Sequence, residues 1–137
     1  MRTMKIVVLG LFLAFTFACK KDEGISNCAR LEANWLCESW VVNSEELLGA
    51  TAMITSADLE FKVLTDQQGD FVRNTYFQIG DPQSVIGAYT VNADCNQVIL
   101  TPKDGVAEVF QFHFSGDKLI LENSFDGIDT SIKFRKE

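Results

Sequence analysis

The C-terminal three quarters of the chain consist of short runs in which apolar and polar residues alternate. In one such run Phe110, Phe112 and Phe114 are separated by Gln111 and His113. Successive side chains of a β-strand point to opposite faces, so this spacing places the three phenylalanines on one face. No segment keeps the 3.6-residue period of a helix. The sequence therefore predicts an all-β fold in which each strand has one buried face and one solvated face.

Turn-forming residues divide these runs at regular intervals. The connections are mostly short and contain Gly, Asn, Asp or Pro, as in residues 66–69 (DQQG) and 102–105 (PKDG). Connections of this length join neighbouring strands as antiparallel hairpins. The longer segment 43–58 is expected to contain a helical turn or a lid. The eight predicted strands lie near residues 34–42, 59–65, 70–79, 87–92, 97–101, 107–115, 118–122 and 129–135.

The N-terminus has the layout of a secretory signal peptide. Arg2 and Lys5 form a positive segment, and the uncharged stretch 6–18 (IVVLGLFLAFTFA) follows. That stretch is shorter than the roughly 18–20 apolar residues that a membrane-spanning helix needs. We predict that residues 1–18 are a signal peptide that is removed on export.

Residues 16–19 (TFAC) resemble the lipobox cut by the bacterial lipoprotein peptidase. The resemblance implies that Cys19 becomes the first residue and carries acyl chains, which hold a protein stably on a membrane. Cleavage by the general signal peptidase, followed by ordinary secretion, is the alternative. Residues 20–23 (KKDE) look like the signal that carries many lipoproteins of the Bacteroidota to the outer face of the cell, although a solvated tether has similar charges. We expect an outer membrane lipoprotein, at the cell surface rather than on the periplasmic face.

Charge and length limit what the exported chain can do. Removing residues 1–18 takes away two positive charges and no negative ones, so the formal charge changes from −7 to −9. An acidic chain is a poor partner for nucleic acid and for an anionic membrane. With residues 19–30 as a tether, residues 31–137 are long enough for one domain with a real core. Eight Phe, two Trp and two Tyr supply that core.

Residues that carry chemistry are scarce. The chain has no Gly-x-Ser-x-Gly, no phosphate-binding glycine loop and no His-Glu-x-x-His. Cys37 would need a base beside it to act as a nucleophile, and the one histidine is His113, so we expect no enzyme activity. No Cys-x-x-Cys spacing occurs and His113 is the one histidine, so a zinc site of the Cys/His type has almost nothing to build from. We expect no metal and no cofactor.

Two short motifs resemble those of a known family. Residues 31–35 (LEANW) resemble the Leu-x-Gly-x-Trp start of lipocalin-like domains, with Ala33 where Gly is usual, and residues 87–89 (GAY) are similar to the Gly-x-aromatic strand of small lipocalin-like lipoproteins of the Bacteroidota. The resemblance covers about residues 30–137 and implies a closed, eight-stranded antiparallel up-and-down barrel. It also implies that Trp35 closes one end and that an arginine packs over its ring, for which Arg135 is the candidate.

In such a meander, alternate connections lie at the same end of the barrel. If the first strand starts at the closed end, Cys95 lies at the same end as Cys28. In an oxidising compartment we therefore favour a Cys28–Cys95 disulfide, with Cys37 left as a buried thiol. Cys37–Cys95 is the main alternative. The connections assigned to the closed end are residues 66–69, 92–96 and 115–117.

The remaining connections lie at the open end and predict an acidic rim there. Ordinary solvated loops would account for such a rim. A site for a cationic partner or a weak calcium site would also account for it. The acids assigned to it, against Lys103 alone, are Glu45, Glu46, Asp58, Asp81, Asp104, Asp126 and Asp129.

The resemblance makes the barrel interior the expected ligand site. We expect a membrane-anchored lipocalin-like lipoprotein that binds a small apolar ligand inside the barrel. In the alternative, the aromatic side chains fill the interior, and the protein is a non-catalytic interaction or structural protein of the envelope. It would then meet a protein partner through the acidic rim or through segment 43–58. The predicted ligand-lining residues are Trp35, Phe61, Tyr89, Phe110, Phe112 and Phe134.

Overall fold

A computed structural model describes residues 26–137, and the predicted signal peptide, the predicted lipidation site Cys19 and segment 20–23 lie outside these residues. Within the described part, one short helix, α1 (Asn27–Arg30), precedes nine strands, and no helix is long and apolar enough to cross a membrane. The strands are β1 (Ala33–Val42), β2 (Glu45–Glu46), β3 (Ile54–Thr65), β4 (Gln68–Phe77), β5 (Gln83–Val91), β6 (Gln97–Pro102), β7 (Glu108–Ser115), β8 (Lys118–Phe125) and β9 (Ile128–Lys136).

Eight of the strands close into an antiparallel barrel. Strands β1 and β3 to β9 pair in chain order, and β1 also pairs with β9, from Trp35↔Lys136 to Val42↔Thr130. The predicted all-β, eight-stranded up-and-down barrel is therefore confirmed. A barrel of eight strands has an interior wide enough for packed side chains or for one small ligand.

The alternating sequence decides which side chains fill the barrel. Inward-facing residues of the strands form one core, and most of the outward-facing residues between them are polar or exposed. Burying a large apolar side chain contributes roughly 1.5–3 kcal/mol. The largest fully buried side chains are Phe61, Phe71, Leu31, Leu59, Leu100, Leu119, Leu121 and Val98.

Two glycines leave room for aromatic rings inside the barrel. Gly69 lies opposite Tyr89, and Gly87 lies opposite Phe71. A Cβ atom at Gly69 would stand 2.7 Å from the Tyr89 ring, and one at Gly87 would stand 2.9 Å from the Phe71 ring. The Tyr89 ring then packs edge to face on Phe61, with ring centroids 4.9 Å apart. The Gly-x-aromatic motif at β5 thus has a packing role.

Helix α1 closes the end of the barrel at which β1 begins. Leu31 is fully buried, and Trp35 Nε1 donates a hydrogen bond to the Leu31 carbonyl oxygen at 2.9 Å. The Arg30 guanidinium lies 4.1 Å from the centroid of the Phe114 ring and donates to the Gly116 carbonyl oxygen at 2.7 Å. So short a helix is unstable alone, and these contacts hold it. The last residues of the predicted tether therefore form a plug on the barrel.

A disulfide joins this plug to the barrel. Cys28 of α1 is bonded to Cys95 in the turn between β5 and β6, with the Cα atoms 5.0 Å apart. The predicted Cys28–Cys95 bridge is confirmed, and Cys37 is the free cysteine among residues 26–137. The bridge links positions 67 residues apart in sequence, so it restricts a large part of the unfolded chain.

The predicted contact between Arg135 and the ring of Trp35 is wrong. Phe134 points into the barrel, so Arg135 beside it points outward, where its Nε lies 4.0 Å from Glu38 Oε1. The arginine that packs over an aromatic ring is Arg30, from the helix that precedes the barrel.

Candidate functional site

The barrel is open at the end opposite α1, and its interior there is a cup of about 450 Å³. Small-molecule sites typically have volumes of roughly 300–1,000 Å³. Seven of the eight barrel strands contribute inward-facing side chains to the cup. The cup is lined by Trp40, Val42, Leu47, Ile54, Arg73, Thr75, Phe77, Gln83, Glu108, Phe110, Asn123, Ile128, Thr130 and Ile132.

Below the cup the interior is filled. A void of about 10 Å³ lies there, bordered mainly by apolar side chains that include Leu59, Leu100 and Leu121. That volume is no larger than a single water molecule requires. The barrel therefore has a packed half next to α1 and an open half that forms the cup.

The six aromatic residues predicted to line a ligand site are divided between these halves. Phe110 borders the cup, and Phe110 and Phe134 both border the small void. Ligand contact by the four residues of the packed half stays a prediction, while Phe110 is the member placed to touch a molecule in the cup. Buried in the packed half are Trp35, Phe61, Tyr89 and Phe112.

The polar residues of the cup were not singled out from the sequence. Arg73 and Thr75 follow Phe71 at two-residue intervals, and Glu108 precedes Phe110 by the same interval. The alternation that turns the phenylalanines inward turns these polar residues inward as well. The sequence therefore contains the information that these polar residues face inward, at positions where they interrupt the alternating apolar residues.

Arg73 and Glu108 form an ion pair inside the cup. Arg73 Nη1 lies 3.0 Å from Glu108 Oε2, and the two side chains are 20% and 36% exposed. Glu108 Oε2 is buried, and within residues 26–137 it accepts no hydrogen bond, so the pair has ionic contact without hydrogen-bond alignment. Charges that are partly shielded from water interact more strongly than charges on an open surface.

Strands β7 and β8 separate near the open end. Their pairing stops at Gln111↔Glu122, although β8 continues to Phe125 and stays paired with β9 along this stretch. A cleft of about 590 Å³ lies in the gap, and it shares Glu108 and Asn123 with the cup. We call this space the side cleft. It opens the barrel wall beside Glu108.

A second separation, between β1 and β3, is filled by the chain itself. Pairing of these strands stops at Leu36↔Asp58, and β2 pairs with the end of β1. The Leu47 N–H donates to the Trp40 carbonyl oxygen at 2.7 Å, and the Leu47 carbonyl oxygen accepts from the Ile54 N–H at 2.9 Å. The long segment expected to hold a helical turn or a lid is therefore part of the barrel wall.

The loops at the open end carry acidic residues and exposed apolar side chains together. Ile79, Val106 and Phe125 are 91%, 86% and 78% exposed, each in or beside a different open-end loop. Among residues 26–137, no group of three or more His, Cys, Asp or Glu side chains is arranged to bind a metal ion. The acids in these loops or directly beside them are Glu45, Glu46, Asp81, Asp104, Asp126 and Asp129.

Two acids assigned to the rim have structural partners. Asp58 lies within β3 rather than in a loop, and it accepts a hydrogen bond from Asn74 Nδ2 at 2.8 Å. Glu46 accepts hydrogen bonds from the Ser39 hydroxyl and from the Trp40 and Leu48 backbone N–H groups. Burial acts to raise the pKa of Glu46, but these hydrogen bonds outweigh it, so the net shift is downward.

Cys37 and His113 lie on opposite sides of the barrel wall. Cys37 faces inward on β1, whereas His113 faces outward on β7, with its Nδ1 3.6 Å from Glu122 Oε1. Burial raises the pKa of the Cys37 thiol to about 12. The thiol is therefore protonated at neutral pH and is a poor nucleophile.

Similar solved structures are designed β-barrels. A redesigned β-barrel superimposes with a TM-score of 0.60 at 11% identity, covering 81% of this chain and 95% of that one. A de novo designed fluorescence-activating β-barrel superimposes with a TM-score of 0.59 at 14% identity, covering 83% of this chain and all of the other. At such identities the similarity is one of fold. No known protein family and no curated protein matches the chain.

Proposed function

We propose that the protein is a lipid-anchored, lipocalin-like lipoprotein that binds a small apolar ligand and catalyses no reaction on it. The observation that carries the proposal is the cup, an open space of about 450 Å³ above a packed floor. Eight of its fourteen lining residues are apolar. An interior that leaves this space empty of side chains favours a binding module over a filled structural barrel.

The size of the cup sets a rough affinity. A ligand that buries about 250 Å² of apolar surface gains roughly 6 kcal/mol from the hydrophobic effect. Association costs part of this free energy, so without polar contacts the dissociation constant is expected to be no lower than tens of micromolar.

The ligand test uses the chain from Lys20 onward, because the barrel closes entirely within residues 26–137. A neutral apolar dye, N-phenyl-1-naphthylamine, reports binding by its emission. Thr130→Trp places a large side chain in the cup, and Lys133→Trp places the same side chain on the outer face of the same strand. We expect dye binding to weaken at least tenfold in Thr130→Trp and to be unchanged in Lys133→Trp. Equal binding by all three proteins would show that the dye does not occupy the cup.

The proposed anchor rests on the sequence of the N-terminus. The short apolar stretch 6–18, the lipobox-like residues 16–19 and the charged residues 20–23 support export, lipid on Cys19 and exposure at the surface of the outer membrane. The full chain and its Cys19→Ala variant are expressed in the native cell. We expect the former in the membrane fraction and degraded by protease added to intact cells, and the latter absent from the outer membrane. Resistance of the unmodified protein to protease would place it on the periplasmic face.

Membership of the lipocalin-like lipoproteins is part of this proposal. Its support is that both motifs pack inside the barrel. Trp35 is buried beside the α1 plug, and Gly87 leaves room for the Phe71 ring. Ala33, where the family has glycine, is the first residue of β1 and packs against the core.

The exposed apolar residues of the open-end loops favour a second function, contact with a protein partner. Ile79 and Val106 are almost fully exposed beside Asp81 and Asp104. A partner surface that is basic and apolar would complement them. In crosslinking on intact cells, we expect an adduct that is lost in the Ile79→Ser/Val106→Ser double variant and kept in Leu64→Ser, which removes an exposed apolar side chain of the β3 end nearest α1. An adduct that persists in the double variant would exclude these loops as the contact.

A further inference from the structure

The cup contains one polar feature that binding of a purely apolar molecule does not use. Among the described residues that line it, Arg73 and Glu108 are the charged ones. They lie on β4 and β7 and meet across the cup at 3.0 Å. A charged pair that is partly shielded from water gains from further groups that bond to it, so a polar ligand group would bind best at this place.

The buried oxygen of the Glu108 carboxylate receives no hydrogen bond from the described residues. A carboxylate has room for about four hydrogen bonds, yet the buried Oε2 has ionic contact with Arg73 and accepts no hydrogen bond from residues 26–137. The rest of the side chain is partly exposed and borders both the cup and the side cleft. A ligand group that donates a hydrogen bond to this carboxylate supplies what the protein does not.

A ligand with a negatively charged head would be disfavoured in the cup. The charge of Arg73 is already balanced by Glu108, and in the recess between the β5 and β6 ends that borders this pair Lys103 is likewise offset by Asp104. Asp81 and Asp126 lie in the neighbouring open-end loops. A carboxylate in the cup would be placed beside Glu108 and below these acids, where like charges repel. A neutral or cationic donor does not meet this repulsion.

We propose that the cup selects amphiphiles whose head donates hydrogen bonds and carries no negative charge, such as a primary amine or an alcohol, with Glu108 as the acceptor. Arg73 is a positioning residue that holds the Glu108 carboxylate. The inference rests on the proposed function, because it names the chemistry of the ligand held in the same cup. The apolar part of the ligand contacts Val42, Ile128 and the other apolar residues of the lining.

Three molecules with the same ten-carbon chain test this selection: decylamine, 1-decanol and decanoate. Each displaces N-phenyl-1-naphthylamine from the chain from Lys20 onward at pH 7, below the concentration at which it forms micelles. We expect decylamine to bind at least tenfold more tightly than decanoate, with 1-decanol between them, because a hydrogen bond to a charged group is strong in a partly dry site. In Glu108→Gln, Arg73 loses its counter-charge, so the ratio of decylamine to decanoate affinity is expected to fall below about one. Glu60→Gln, on the outer face of β3, is the control and should keep the original ratio.

The outcomes separate the inference from the proposed function. If decanoate binds as tightly as decylamine or more tightly, the selection is overturned while the cup remains a binding site. The ranking on the unmodified chain decides this even if Glu108→Gln fails to fold. If the dye does not bind and none of the three molecules binds either, the proposed function is overturned, and the inference that rests on it is overturned with it. An unchanged ratio in a folded Glu108→Gln protein would exclude Glu108 as the acceptor.

Discussion

Removing the disulfide is expected to destabilise the barrel by an amount that follows from its position in the chain. Cys28 and Cys95 are 67 residues apart, so the bridge closes a loop covering about half of residues 20–137. The chain-entropy relation for a loop of this size gives about 4 kcal/mol of stabilisation, through restriction of the unfolded chain. Small domains have unfolding free energies of about 5–15 kcal/mol. The Cys28→Ala/Cys95→Ala double variant should therefore still fold but lose a large part of its stability.

The assay is urea unfolding of the chain from Lys20 onward under non-reducing conditions, followed by tryptophan fluorescence. Trp35 lies directly below the α1 plug and Trp40 lines the cup, so the emission of the two tryptophans reports both halves of the barrel. Cys37→Ala is the matched control, because it removes a half-buried thiol and leaves the bridge intact. We expect a loss of about 4 kcal/mol for the double variant and of about 1 kcal/mol or less for Cys37→Ala. A loss below about 1 kcal/mol in the double variant would refute the entropic reasoning.

Three further predictions concern the plug, the core and the free thiol. Arg30→Ala removes the contact with the Phe114 ring and the hydrogen bond from the Arg30 side chain to the Gly116 carbonyl oxygen. Urea unfolding should therefore show a loss of about 1–2 kcal/mol in unfolding free energy. An unchanged midpoint would contradict the role of the plug. Phe61→Ala in the packed half should cost about 3–5 kcal/mol, whereas Phe125→Ala in an exposed loop should cost less than about 0.5 kcal/mol. Cys37, with its pKa raised from 9.0 to about 12, should react with iodoacetamide at pH 8 far more slowly than after unfolding in urea. Equal labelling rates before and after unfolding would contradict the burial of Cys37. Because the raised pKa favours the neutral thiol in the folded state, the stability that this thiol contributes is present below pH 9 and is lost as the pH rises towards 12. The Cys37→Ala variant should not show this loss of stability.

The alternation of residues predicted the barrel strands well where it was regular. In β7 the inward Phe110, Phe112 and Phe114 alternate with outward residues along almost the whole strand. The predicted start of β3 was late, because Thr55 and Ser56 carry no apolar signal and a register shift interrupts the strand there. Period-2 reasoning finds strands by their core-facing residues, so it misses the ends of strands that extend beyond the core.

The bulge in β1 shows a second limit. Pairing with β9 shifts between Cys37 and Ser39, so Trp35 and Trp40 both face inward although an odd number of positions separates them. A bulge inserts one extra residue and reverses the phase of the alternation beyond it. The odd spacing of the two tryptophans carries this signal, but nothing local to the sequence distinguishes it from a strand with one exposed tryptophan.

The division of the interior into a packed half and a cup could not be predicted from the sequence. Which inward residues fill space depends on the tilt and closure of eight strands, and no single strand contains that information. The placement of Cys28 and Cys95 at one end followed from the order of the connections, which is why the disulfide was predicted. Arg73 and Glu108 come from distant strands, so their contact depends on the closed barrel.

The central claim, that the open half of the barrel is a ligand site, is tested most directly by the backbone NMR spectrum of the chain from Lys20 onward during titration with 1-decanol. We predict saturable shifts of amide signals on the strands that surround the cup, including those of Thr75, Phe110 and Thr130, while the signals of Phe61 and Leu119 in the packed half stay in place. Shifts confined to the outer faces of the strands, or a spectrum that does not change at all, would contradict the account.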